Sequence, residues 1–232
     1  MKHSMKQIII VALFCYGFSV HAQVMTGAGA GNKVLRATQY TSVDGSPYLF
    51  DDWKSGSIRD KSGKLSENLM VRYDCYRDEV QFLKEERNLV VEPALTSEFY
   101  VFVLDNDTKK VDKLIFRNGF TIDGCTPLNY LQVLYDGKVQ FLKRLKVDYL
   151  EETVNNFGTN EIVKKFVRTE AEYLILNGSA IKISKGRKDI LSHFEDIAKQ
   201  VNTYIKENKF SLKSDSDLAR ILRKIDELTP QK

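Results

Sequence analysis

Apolar and polar positions follow two different periods along the chain. Up to Phe120, short runs of β-branched, aromatic and leucine residues alternate with turn residues. Residues 33–43, 57–60, 69–73, 79–83, 98–104 and 113–116 are predicted strands. Asp44-Gly45-Ser46-Pro47, Ser62-Gly63-Lys64, Asp105-Asn106-Asp107 and Asn118-Gly119 punctuate them. Close spacing and repeated hairpins predict a mainly antiparallel β meander, as a curled sheet, barrel or sandwich, and disfavour βαβ units.

The clearest hairpin runs from Asn129 to Lys146, where two apolar runs flank Asp136-Gly137. A two-residue loop would pair Val133 with Gln140. A three-residue loop closing on Lys138, with Gly137 left-handed, pairs Tyr135 with Val139 and Val133 with Phe141. That register gathers Leu131, Val133, Tyr135, Val139, Phe141 and Leu145 on one face, so it is the expected one. The same argument around Asn177-Gly178-Ser179 places Tyr173, Ile175, Ile181 and Ile183 together. Residues 148–161 between the hairpins are polar, and Asn155-Asn156-Phe157-Gly158 reads as a loop.

At Ser184 the period lengthens to that of a helix. Ile190, Leu191, Phe194, Ile197, Val201 and Ile205 form one stripe, with a break expected near Phe194. Leu218, Ile221, Leu222, Ile225 and Leu228 form a second, opened by Ser214 with Asp217 three residues on, a variant of the capping box, and ended by Pro230. The fold class is therefore α+β: an antiparallel β domain over 33–184 and a helical segment over 185–229 packed on it.

The first residues change the inventory. Lys2 and Lys6 precede an apolar run from Ile8 to Val20, and Val20-His21-Ala22 supplies a cleavage pattern, so 1–22 reads as a secretory signal peptide. The run is too short for a transmembrane anchor and no second long apolar segment follows, so no transmembrane span is expected after cleavage. Residues 23–32 read as a flexible N-terminus. Removing two lysines and no acid takes the net charge from +4 to +2. With both signs interspersed, no field steers the chain toward nucleic acid.

Candidate chemistry is sparse. His193 is the one histidine left after cleavage, and no Gly-x-Ser-x-Gly occurs. A phosphate loop at Gly27 to Lys33 fails, because Asn32 replaces the second glycine and Val34 the Ser or Thr. Asp105-Asn106-Asp107 lacks the rest of a calcium loop, and no zinc spacing exists, so neither metal nor cofactor is expected. Asp51 and Asp52 beside Trp53 are the candidate ligand-binding residues: two acids next to a tryptophan suit a sugar or carry a proton. Cys75 and Cys125 leave two readings open. They form either a disulfide closing a loop of about fifty residues, worth roughly 4 kcal/mol, or two small buried side chains.

Gly45-Ser46-Pro47-Tyr48-Leu49 with Asp52-Trp53, then Gly56-Ser57-Ile58, Gly63-Lys64, Tyr73 and Glu79, and Asn177-Gly178 leading into Lys188-Asp189-Ile190-Leu191, resembles uncharacterised secreted β-rich proteins of Bacteroidetes-type Gram-negative bacteria. The resemblance covers most of the mature chain. It implies export to the periplasm, the outer membrane or the exterior, and it implies no activity. The expectation is a non-catalytic envelope module that binds a protein or glycan partner. The alternative is a carboxylate-dependent hydrolase of envelope polysaccharide, which needs two acids converging about 5 to 9.5 Å apart.

Overall fold

The computed structural model describes residues 40, 42–105, 109–156, 158–184 and 186–229. The signal segment 1–22, the segment 23–32, most of the predicted strand 33–43, Asn106, Asp107, Phe157 and Pro230 lie outside the described residues.

Ten strands make one antiparallel sheet: β1 (Lys54–Asp60), β2 (Leu65–Asp74), β3 (Glu79–Lys84), β4 (Arg87–Val91), β5 (Thr96–Leu104), β6 (Val111–Arg117), β7 (Leu131–Asp136), β8 (Gln140–Asn156), β9 (Thr159–Leu176) and β10 (Ser179–Lys182). Their order is β10-β9-β8-β7-β6-β5-β1-β2-β3-β4, an open sheet rather than a closed barrel. Only residues 92–95 separate β4 from β5, yet β5 pairs with β1 at the far side of the β1–β4 meander. A connection that short spans at most roughly 17 Å. The first five strands must therefore curl until β4 returns toward β5. Ile58, Val71, Tyr73, Val80, Phe82, Phe99 and Phe116 fill the curl, with the Phe99 and Phe116 rings stacked at 4.7 Å. Gly56 allows a close approach of strands beside the irregularity in β1: a Cβ there would overlap the Val71 side chain and the Tyr100 carbonyl.

Strand β7 and the adjoining parts of β8 and β9 are covered on both faces. On one lie the short 3-10 segments Arg187–His193 and Glu195–Ile197, then α1 (Ala198–Asn208) and α2 (Asp215–Leu228). Their stripe residues Ile190, Phe194, Val201, Leu218, Ile221, Leu222 and Ile225 pack on Val139, Phe141, Leu174 and Ile183. Burial of each stabilises by about 1.5–3 kcal/mol, so the helical stripes take their stability from the sheet. The Ser214 side chain accepts from Asp217 N–H at the start of α2, and the helical break falls at Phe194. On the other face, the loop after β6 brings Phe120 and Ile122 over Leu131, Val133, Leu142 and Tyr173. Among the described residues no helix is long and apolar enough to cross a membrane.

Two-sided burial overturns the expected hairpin registers. Tyr135 faces Phe141, Asp136 faces Gln140 and Val133 faces Leu142, with an irregularity at Leu134. Neither Tyr135–Val139 nor Val133–Phe141 pairing occurs. The loop Gly137-Lys138-Val139 is set from outside: Asp226 of α2 accepts the N–H of Lys138 (2.7 Å) and of Val139 (3.1 Å) and the Tyr135 hydroxyl (2.9 Å). Gly137 is not left-handed; it is needed because a Cβ would overlap the Asp226 carboxylate. In the second hairpin Asn177 (φ 51°) and Gly178 (φ 77°) form a two-residue loop, and Leu174 faces Ile181. Leu174 and Ile183 consequently point to the helices, Tyr173 and Ile175 to the opposite face.

Two further expectations need correction. Residues 148–156 and 159–161 belong to the long β8–β9 ribbon rather than to a polar passage between hairpins, and the expected loop falls where β8 reverses into β9, with Gly158 in a turn. Strand β4 was not predicted, because its turn from β3 uses Glu85 and Glu86, both left-handed, where glycine or asparagine would normally signal a hairpin.

Candidate functional site

The turn of residues 75–78 between β2 and β3 borders two cavities among the described residues. Asp74, at the end of β2, is fully buried. Its Oδ1 accepts the N–H of Tyr76 (3.0 Å) and of Arg77 (2.9 Å), bending the chain, and its Oδ2 accepts the Tyr40 hydroxyl (2.8 Å). Burial pushes the Asp74 carboxyl above its ordinary range, and these donors work against that rise. Asp78 closes the turn in the left-handed region (φ 59°). It accepts from the Tyr73 hydroxyl, Asn129 Nδ2 (2.5 Å), Tyr130 N–H (3.3 Å) and Arg144 Nη2 (3.0 Å). Arg144 also donates to the carbonyls of Tyr130 (3.2 Å) and Leu145 (3.0 Å). Residues from four places in the chain thus hold one turn.

Two cavities flank it and share Tyr76 and Arg77 as a wall. The larger, about 480 Å³, has Cys75, Asp78, Cys125, Asn129, Arg144, Lys146 and Lys182 among its lining. The smaller, about 360 Å³, is lined by Tyr40, Val43, Tyr76, Arg77, Tyr149, Lys164 and Phe166. Phe166 is the hub of its rings: Tyr40 meets it edge-on at 5.2 Å, Tyr76 tilted at 5.4 Å and Tyr149 edge-on at 5.9 Å. Phe166 and Tyr149 face each other across β8 and β9, and Asp44 fastens the ribbon there by exchanging backbone hydrogen bonds with Lys164 (2.9 Å) and Phe166 (2.8 Å). The Tyr149 hydroxyl donates to Glu151 (2.6 Å), which pushes that phenol up to about 12. Burial, and then Asp74, raise Tyr40 as well. Both phenols therefore stay neutral at physiological pH, and Tyr76 is 41% exposed.

The sequence-predicted candidates lie outside these cavities. Asp51 and Asp52 are exposed, and Asp51 accepts a hydrogen bond from Ser46. Trp53 is half-buried and lies 4.5 Å from the Arg72 guanidinium, which also sits 3.9 Å from the Tyr48 ring and donates to Gln81. Its own neighbour thus occupies a face of that tryptophan. Cys75 and Cys125 both line the larger cavity and are free thiols; Cys75 is buried, and its burial pushes the thiol up to about 12. His193 ends the first 3-10 segment, half-buried beside Phe194. Among the described residues no group of three or more His, Cys, Asp or Glu is placed to hold a metal. Sequence reasoning missed Tyr76, Tyr149 and Phe166, whose one signal is an aromatic residue in a turn or in a charged stretch. No protein-family model, no curated protein and no solved structure matches this chain.

Proposed function

We propose that the protein is an exported, non-catalytic module of the cell envelope that binds a protein or glycan partner. The signal-peptide pattern of residues 1–22 supports export. The observation that carries the binding reading is the aromatic cavity, where three tyrosines surround Phe166 beside a turn held rigid by Asp74 and Asp78. Rigid rings present contact area at small entropic cost, which favours binding. For the hydrolase alternative, both acids of this turn are already engaged: Asp74 with the Tyr40 hydroxyl and the N–H groups of Tyr76 and Arg77, and Asp78 with Arg144, Tyr73 and Asn129. Cosedimentation of the exported form with envelope fragments tests the reading. That form, with a mass beginning at Gln23, should sediment saturably and leave the envelope polysaccharide at its original length. Tyr76→Ala should stay in the supernatant with its melting temperature unchanged. Shortening of the polysaccharide, or sedimentation indifferent to Tyr76→Ala, would count against it.

A further inference from the structure

The outer part of the β8–β9 ribbon leaves one strand edge open. On β9, the Lys164 carbonyl and the Phe166 N–H point outward to Asp44; on β8, the Val147 N–H points outward to the Cys75 carbonyl. Tyr149 pairs with Phe166 and Glu151 with Lys164. Bonding direction alternates along a strand, so the N–H and C=O groups of Tyr149, Glu151, Thr153 and Asn155 also point away from β9. β7 pairs with this side of β8 only at residues 140–143, and among the described residues no main chain pairs with it beyond Val147. Such an edge is a template for another strand. The same ribbon exposes apolar side chains: Leu150 (40%), Val154 (36%) and Ile162 (63%). A two-stranded ribbon is marginal alone in water, and further strands stabilise it.

The charge pattern selects the strand that is added. Glu151 and Glu152 are matched within the ribbon by Lys164 (3.7 Å) and Lys165 (2.6 Å), so the edge has no surplus charge to draw a basic or an acidic peptide. A second copy of β8 fits without conflict. With an antiparallel twofold at Thr153, each Thr153 faces its own counterpart, Glu152 faces Val154 and Glu151 faces Asn155. No like charges are opposed, and a cross-strand threonine pair is favourable. A twofold at Glu151 or Glu152 would set a carboxylate against itself, and one at Val154 would shorten the paired stretch from residues 150–156 to 152–156, because β8 ends there. Ile162 lies opposite Thr153 within the ribbon, so the Thr153 register also lines up both copies of Ile162 in one row across four strands. We propose that the protein dimerises by pairing its β8 edges antiparallel about Thr153, which joins two sheets through about six main-chain hydrogen bonds. So short an interface makes the dimer concentration-dependent. It goes beyond the binding-module reading and does not depend on it.

Sedimentation velocity of the mature protein over a range of concentrations tests this, and the mass should rise from monomer to dimer. Thr153→Pro removes an outward N–H and touches no β8–β9 bond, while Thr153→Lys sets two cations face to face. Each should weaken the dimer at least tenfold, with the melting temperature of the dilute monomer unchanged. Should Thr153→Pro disturb the ribbon, Thr153→Lys decides alone. In a Cys125→Ser background, Thr153→Cys should cross-link to itself under mild oxidation, and Asn155→Cys should link to Glu151→Cys rather than to itself. A protein that stays monomeric up to about 1 mM would overturn the proposal, as would a dimer indifferent to Thr153→Lys. Asn155→Cys linking to itself as readily as Thr153→Cys would overturn the register.

Discussion

Asp226 joins the helical segment to the sheet through a single carboxylate. It accepts from two backbone N–H groups of the β7–β8 loop and from the Tyr135 hydroxyl of β7, while Lys138 Nζ returns to the carbonyls of Asp226 and Thr229 at 2.8 Å. Charge-assisted bonds of this kind are worth about 1.5–3 kcal/mol, so Asp226→Ala should lower unfolding free energy by at least that much. Gly137→Ala should act in the same direction through steric overlap. Urea midpoints at an unchanged m-value would measure both; a loss below about 0.5 kcal/mol for Asp226→Ala would contradict the anchor. The cysteines differ at the same scale. Cys75 is 1% exposed with its thiol pushed up to about 12, whereas Cys125 is half-buried. A thiol raised this far holds little thiolate at neutral pH, so Cys125 should alkylate first in the native protein and both should react once it is denatured. Two equal native rates would contradict this, and no reactive thiol after denaturation would reveal a disulfide.

The elements were legible in the sequence where a single face is buried or a turn residue speaks. The helical stripes, the Ser214 cap and the positions of most strands could all be read from it. Register could not, because Leu131 to Tyr135 and Tyr173 to Leu176 are apolar on both faces and alternation then carries no preference. The outer β8–β9 ribbon failed for the opposite reason. Exposed on both faces, it reads as polar, and cross-strand pairs such as Lys165 with Glu152 (2.6 Å) leave no apolar period to detect. The aromatic cavity was hidden for a related cause: Tyr40, Tyr76, Tyr149 and Phe166 come from four separate stretches that only the fold assembles. At this scale the helices should melt with the sheet. Leu222→Asp or Phe194→Asp, each placing a charge in the shared core, should lower the melting temperature in one cooperative transition. An early separate transition with the β signal unchanged would show an independent helical tail.

In the molecule as a whole, the curl of β1 to β5 and the two-sided layer of β7 to β9 meet near the turn of residues 75–78. Tyr73 and Tyr130 from the curled core reach it from one side, and Arg144 of β8 from the other. The candidate site therefore sits where the two packed regions join, a common place for a ligand cavity and one that no single stretch of sequence announces. Partner capture at that junction is the central claim. The most direct measurement is NMR shift mapping of the mature protein titrated with soluble fragments of envelope polysaccharide. Saturable shifts should concentrate on Tyr40, Tyr76, Arg77, Tyr149 and Lys164, with Asp51, Asp52 and Trp53 unmoved. Shifts centred on Trp53 with the cavity silent, or no saturable shift at all, would contradict the account.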